Sequence, residues 1–223
     1  MARVAELIGT MFLTMTVVGS GIMAQNLTQD LGLQLVINAA ATVATLYILI
    51  NLIAPISGAH FNPVVTMVAT IRGEMKLKQT TFYLFAQFSG AIIGTLIAQF
   101  LFERDLFETS TKVREGNNLF VSEIIATFGL VTIAFAGWFK IKTRQRASLI
   151  SLWIGSAYFF TSSTSFANPA VTLGRMFTDT FSGIAPESVL AFIAAQIIGA
   201  LLALALLTKA NRFAGKMNNL RKE

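Results

Sequence analysis

Apolar residues along this chain come in long unbroken runs, not in the half-polar stripes of a soluble domain. Windows of about twenty mostly apolar residues fall at 4–25, 33–54, 80–102, 119–139, 147–165 and 188–208. As helices rising about 1.5 Å per residue, each is long enough to cross roughly 30 Å of hydrocarbon. The pattern predicts six membrane-spanning helices. Two further apolar stretches begin at Asn62 and Asn168 and are too short to cross. From Asn62 to Arg72 the chain reaches roughly 15 Å as helix, half a bilayer. These stretches are expected as half-helices that enter the membrane and stop within it.

Composition agrees with a bilayer environment. The 223 residues are 54% hydrophobic and 13% charged, with a mean hydropathy of +0.66, more apolar sequence than a soluble core of this size uses. The first window could pass for a secretory leader, but Glu6 interrupts it and no good small-x-small cleavage site follows, so it is read as a retained span. The net charge of +6 lies beside the spans rather than on one face, which argues against nucleic acid. With both termini cytoplasmic, thirteen Lys and Arg residues fall inside, and Arg104, Lys112, Arg114 and Arg175 fall outside, in the sense of the positive-inside rule. Trp138 reads either as an interfacial anchor or as a packed tryptophan.

The chain repeats itself. "AELIGTM" (5–11) is matched by "SEIIATF" (122–128), "HFNPVVT" (60–66) by "FANPAVT" (166–172) and "AQFSGA" (86–91) by "AQIIGA" (195–200). Each half therefore reads as span, span, Asn-Pro segment, span, and a connection at 103–116 joins halves of about 1–103 and 117–223. Three spans per half is an odd number, so the second half must enter from the opposite face. The expected fold is an all-α membrane protein of six transmembrane helices plus two re-entrant half-helices, an inverted repeat forming a single domain over 1–223.

Asparagine is a favoured N-cap and proline a favoured first helical residue, so Asn62-Pro63 and Asn168-Pro169 are helix starts. Two half-helices entering from opposite faces would meet N-terminus to N-terminus, their positive dipole ends facing a central constriction. A pore there repels cations. The amides of Asn62 and Asn168 would supply donors and the loop carbonyls acceptors, a lining that replaces the hydration of a neutral solute but not that of an ion. Glu6 and Glu123, costly inside a membrane, are expected to brace the half-helix loops, with proton relay as the competing role. His60 has no partners for a metal site and is expected to orient the loop before Asn62. Gln87 and Gln196 are expected at close helix crossings, hydrogen-bonded to the loops. With no cysteine and one histidine, no metal, cofactor or catalytic constellation is expected.

The duplicated glutamates, the two Asn-Pro motifs and the paired "AQxxGA" spans together resemble the aquaporin and glycerol-facilitator family over essentially the whole chain. That resemblance implies a passive channel, usually a tetramer with one pore per subunit. It also implies a narrow outer filter, where the family normally carries an arginine three residues after the second asparagine; this chain has Val171. Counting back from Asn62 places Thr42 where water-selective members carry an aromatic residue. The fifth-span position falls on Ser162 or, alternatively, Phe160, and Ser165 contributes a backbone carbonyl. A ring of Thr42, Ser162, Ser165 and Val171 has no fixed charge and little bulk.

Arg175, one turn beyond Val171, would either guard the outer mouth or sit solvated at the helix end. The first motif ends in Val64 where the second has Ala170, and the extra methyls are either absorbed in protein or narrow the midplane. The phrase "SFANPAVTLGR" resembles a bacterial branch associated with arsenic resistance. The expected solutes are glycerol-like polyols, water, undissociated arsenous acid and, by extension, methylated arsenicals. A mainly water-conducting channel and, remotely, an ion-coupled transporter are the competing readings. The expected setting is a bacterial plasma membrane.

Overall fold

A computed structural model describes residues 1–136 and 142–220, and side chains as far as residue 211. The readings for Trp138, Lys140, Arg221 and Lys222 lie outside those residues, as do the side chains of Arg212 and Lys216. All regular structure among the described residues is helical: α1 (Ala2–Leu27), α2 (Leu31–Ser57), α3 (Pro63–Ile71), α4 (Leu77–Leu101), α5 (Asn117–Phe135), α6 (Thr143–Phe160), α7 (Pro169–Gly174) with a 3₁₀ turn (Arg175–Phe177), and α8 (Pro186–Leu220). Five of these, α1, α2, α4, α5 and the Pro186–Asn211 part of α8, are long and apolar enough to cross a membrane.

The remaining expected span, at 147–165, differs in its limits. Helix α6 begins four residues earlier, taking Arg144 and Arg146 into its first turn, and stops at Phe160. Beyond it the chain is extended at Thr161 and passes through left-handed backbone at Thr164, Ser165 and Ala167. The segment expected to finish the fifth span is instead the approach to Asn168.

Both short helices start on their asparagines. Asn62 and Asn168 have extended backbone, each with proline at the first helical position. The Asn62 Oδ1 accepts from Val64 N at 3.1 Å, and the Asn168 Oδ1 accepts from Ala170 N at 3.0 Å. Each cap satisfies a backbone N–H that helix geometry leaves without an intrahelical acceptor.

Corresponding elements of the two halves pack alike. Helix α1 lies along α4 and α5 along α8, while α2 meets α6 across the halves and α3 meets α7. The crossings are close because glycine sits at them. A Cβ on Gly90 would collide with the Leu7 carbonyl oxygen, and one on Gly199 would lie 2.5 Å from the Ile124 carbonyl oxygen. The "AQxxGA" phrases thus carry the contact that lets each outer helix pair approach backbone to backbone.

Candidate functional site

Two buried carboxylates hold the loops that precede α3 and α7. Glu6 accepts from Ser57 Oγ at 2.6 Å, from the backbone N–H of His60 at 3.0 Å and of Phe61 at 2.7 Å, and from Gln87 Nε2 at 2.8 Å. Glu123 repeats the pattern, accepting from Ser163 Oγ at 2.6 Å, from the N–H of Phe166 at 2.9 Å and of Ala167 at 2.8 Å, and from Gln196 Nε2 at 2.7 Å. The loops need such anchoring. Ala59, Phe61, Thr164, Ser165 and Ala167 all have positive φ without being glycine, a conformation that costs on the order of 1–3 kcal/mol per residue and persists only where surroundings impose it.

The glutamines close each bracket. Gln87 Nε2 also donates to Thr66 Oγ1 at 2.9 Å and Gln196 Nε2 to Thr172 Oγ1 at 2.9 Å, tying each loop to the helix it starts. His60 lies with its Nδ1 3.0 Å from Thr66 Oγ1 and its ring edge-on to Tyr83.

The two helix starts then lock to each other. Asn62 Nδ2 donates to the Ala167 carbonyl at 2.8 Å, and Asn168 Nδ2 donates to the Phe61 carbonyl at 2.8 Å. Each amide has a second N–H, and both side chains border a cavity of about 440 Å³ that is lined by residues from both halves. Val64 and Ala170 are buried away from it; Val64 packs with Val68, Val131, Ala200, Ala203 and Leu207.

The cavity walls follow one spacing. Thr42, Leu46, Ile50 and Ala54 line it from α2, and Arg146, Ile150, Ile154 and Tyr158 from α6, each a stripe with period four on one helix face. One end is bordered by Glu74, Thr143 and Arg146, the other by Phe166 and Arg175. Between the asparagines and Arg175 lie Thr42, Tyr158, Ser165 and Val171, all at most 4% exposed. Thr42 Oγ1 donates to the Asn38 carbonyl at 2.8 Å and lies 3.2 Å from the Tyr158 hydroxyl.

Two sequence readings change here. Neither Ser162 nor Phe160 borders the cavity. Ser162 is exposed and accepts or donates at Ser122 Oγ, 3.0 Å away, while Phe160 is exposed beside Trp153. Ser162 continues the α6 stripe by number, but the helix ends two residues before it, so Tyr158 is the last cavity-facing position. Arg175 is not solvated at a helix end; it is 2% exposed, donates through Nε to the Ser182 carbonyl, and stacks 3.4 Å from the centroid of Phe166.

The profile of the family described as "Major intrinsic protein" matches residues 1–166. The chain belongs to the major intrinsic protein family. It is 47% identical over 206 residues to "Aquaglyceroporin AqpS" of Rhizobium meliloti (strain 1021), covering 92% of this chain and 87% of that one. It is 31% identical to "Aquaporin NIP2-1" of Oryza sativa subsp. japonica over 81% of this chain and 62% of that protein. Its fold resembles the X-ray structure of the aquaglyceroporin from Plasmodium falciparum, with a TM-score of 0.66, 21% identity, and coverage of 92% and 93% of the two chains. This major intrinsic protein is accordingly an integral membrane channel for small solutes and not an enzyme.

Proposed function

We propose that the chain conducts small uncharged solutes passively: glycerol-like polyols, water and undissociated arsenous acid, with methylated trivalent arsenicals as an extension. The observation that carries this reading is the cavity bordered by both Asn62 and Asn168 and by polar and aliphatic residues of both halves. A polyol offers hydroxyls to the second N–H of each asparagine while its carbon edge lies against Leu46, Ile50 and Ile154. An ion finds too few partners to replace its hydration shell.

The filter is Thr42, Tyr158, Ser165 and Val171. It keeps more bulk than the sequence suggested, because Tyr158 brings a ring, yet Val171 leaves the adjoining wall open. Arsenous acid is neutral around physiological pH and presents hydroxyls much as a small polyol does, so it fits the same lining. The relative named an aquaglyceroporin supports the glycerol part of this reading. Each subunit carries its own pore, and the expected assembly is a homotetramer in a bacterial plasma membrane with both termini cytoplasmic.

Val171→Arg tests the filter. In proteoliposomes it lowers glycerol permeability more than water permeability; an equal loss of both would show that Val171 does not set the width.

A further inference from the structure

The side chain at Val171 cannot offer a donor, yet the cavity does contain a guanidinium at its outer end. We propose that Arg175 is the selectivity arginine of this channel, presented from one helical turn beyond Val171 and held there by Phe166 and the 181–183 segment. This inference rests on the channel reading above and adds the residue that excludes cations and orients the solute.

Val171 and Arg175 are four residues apart on α7 and the turn that continues it, so their side chains leave on the same face. Both border the cavity. Stacking on Phe166 fixes the guanidinium plane, and the Nε–H is taken by the Ser182 carbonyl. The four N–H groups on the two terminal nitrogens have no protein acceptor among the described residues, and no carboxylate pairs with Arg175 there. A guanidinium held by its base, with its fork free, is arranged to donate to something in the lumen.

The neighbouring cations are used differently. Lys112 Nζ donates to the Phe181 carbonyl at 2.8 Å and Arg114 Nε donates to the Gly183 carbonyl at 2.9 Å, with the Arg114 guanidinium 5.0 Å from the centroid of Phe166. Three consecutive carbonyls, 181 to 183, thus accept from cations, Phe181 from both Lys112 and Arg114, Ser182 from Arg175 and Gly183 from Arg114. Of the three cations, Arg175 is the one that borders the cavity.

The fork suits solutes with two acceptor oxygens side by side, such as vicinal hydroxyls, because paired N–H donors match paired oxygens. Across the lumen the Tyr158 and Thr42 hydroxyls can meet the same solute. The positive charge repels cations ahead of the half-helix dipoles.

The test compares wild type, R175Q, R175K and the relocation V171R/R175V in proteoliposomes. The readouts are uptake of methylammonium as its cation and the ratio of glycerol to water permeability. R175Q is expected to admit methylammonium about tenfold or more above wild type, the loss of roughly one charged interaction in the barrier. R175K keeps the charge and the exclusion but loses the fork, so its glycerol to water ratio changes. V171R/R175V restores exclusion and lowers glycerol relative to water.

If R175Q does not assemble, R175K decides on the glycerol to water ratio: a changed ratio supports the donating fork, and an unchanged one makes Arg175 a loop brace. Unchanged cation exclusion in R175Q, or water and glycerol falling by one common factor with no cation leak, would make Arg175 a loop brace and overturn the proposal. Wild type without glycerol flux contradicts the channel's proposed solutes instead, and leaves the cation readout to judge Arg175 independently.

Discussion

Glu6 and Glu123 each accept four hydrogen bonds, two of them from backbone N–H groups in strained loops. A glutamine there would present an NH₂ where a donor already points. Glu123→Gln is therefore expected to lower stability by about 3 kcal/mol, the loss of charge-assisted bonds with a buried N–H left unmet. Thermal unfolding in detergent measures this, and an unchanged midpoint would remove the bracing role. Tyr158 belongs to the same scale. Tyr158→Ala is expected to raise glycerol permeability severalfold relative to water, whereas Ser162→Ala leaves both unchanged; stopped-flow light scattering separates the two. The glutamates, asparagines and glutamines were legible in the sequence because each appears twice at matching places. Tyr158 appears once, and repetition says nothing about a residue that one half alone supplies; Arg175 was legible only as one of two alternatives, from its spacing to Val171.

At the scale of elements, the half-helices follow from local chemistry: a cap, a proline, and a run too short to cross. That part could be read without coordinates. The end of α6 could not, because what stops it is not a proline or glycine but Glu123, which draws the Ser163 hydroxyl and the Phe166 and Ala167 N–H groups onto α5. A tertiary hydrogen bond set the boundary, and the error of one turn moved the filter assignment from Tyr158 to Ser162. The helix crossings make a separate prediction. Gly90→Ala places a methyl against the Leu7 carbonyl and the Met11 amide, where backbone cannot move aside without separating α1 from α4. A destabilisation of about 1–3 kcal/mol is expected, seen as a lower unfolding midpoint; the same change at Gly73, where nothing lies near the added atom, provides a contrast in which only its positive φ is strained.

Across the whole molecule, the connection between α4 and α5 is tied to the segment before α8. Lys112 in that connection has its pKa lowered to about 8, chiefly by burial and further by the charges of Arg114 and Arg175. The folded state thus releases this proton at lower pH than the unfolded chain does. Between about pH 8 and the ordinary lysine range near 10.5 the unfolded state binds more protons, so this residue makes stability rise with pH there. Lys112→Met should flatten that rise in detergent melts, and an unaltered slope would contradict the burial of the charge. The inverted halves were legible from the odd number of spans per repeat, while the anchoring of that connection was not, since it depends on the carbonyls of Phe181 and Gly183, which no side-chain pattern marks. The central claim is that one continuous lumen passes uncharged solutes. Its most direct test is stopped-flow light scattering on proteoliposomes challenged in parallel with an impermeant osmolyte, glycerol and arsenous acid. Reswelling in glycerol and arsenous acid well above empty liposomes is the predicted result; rapid water flow with neither solute entering would contradict it.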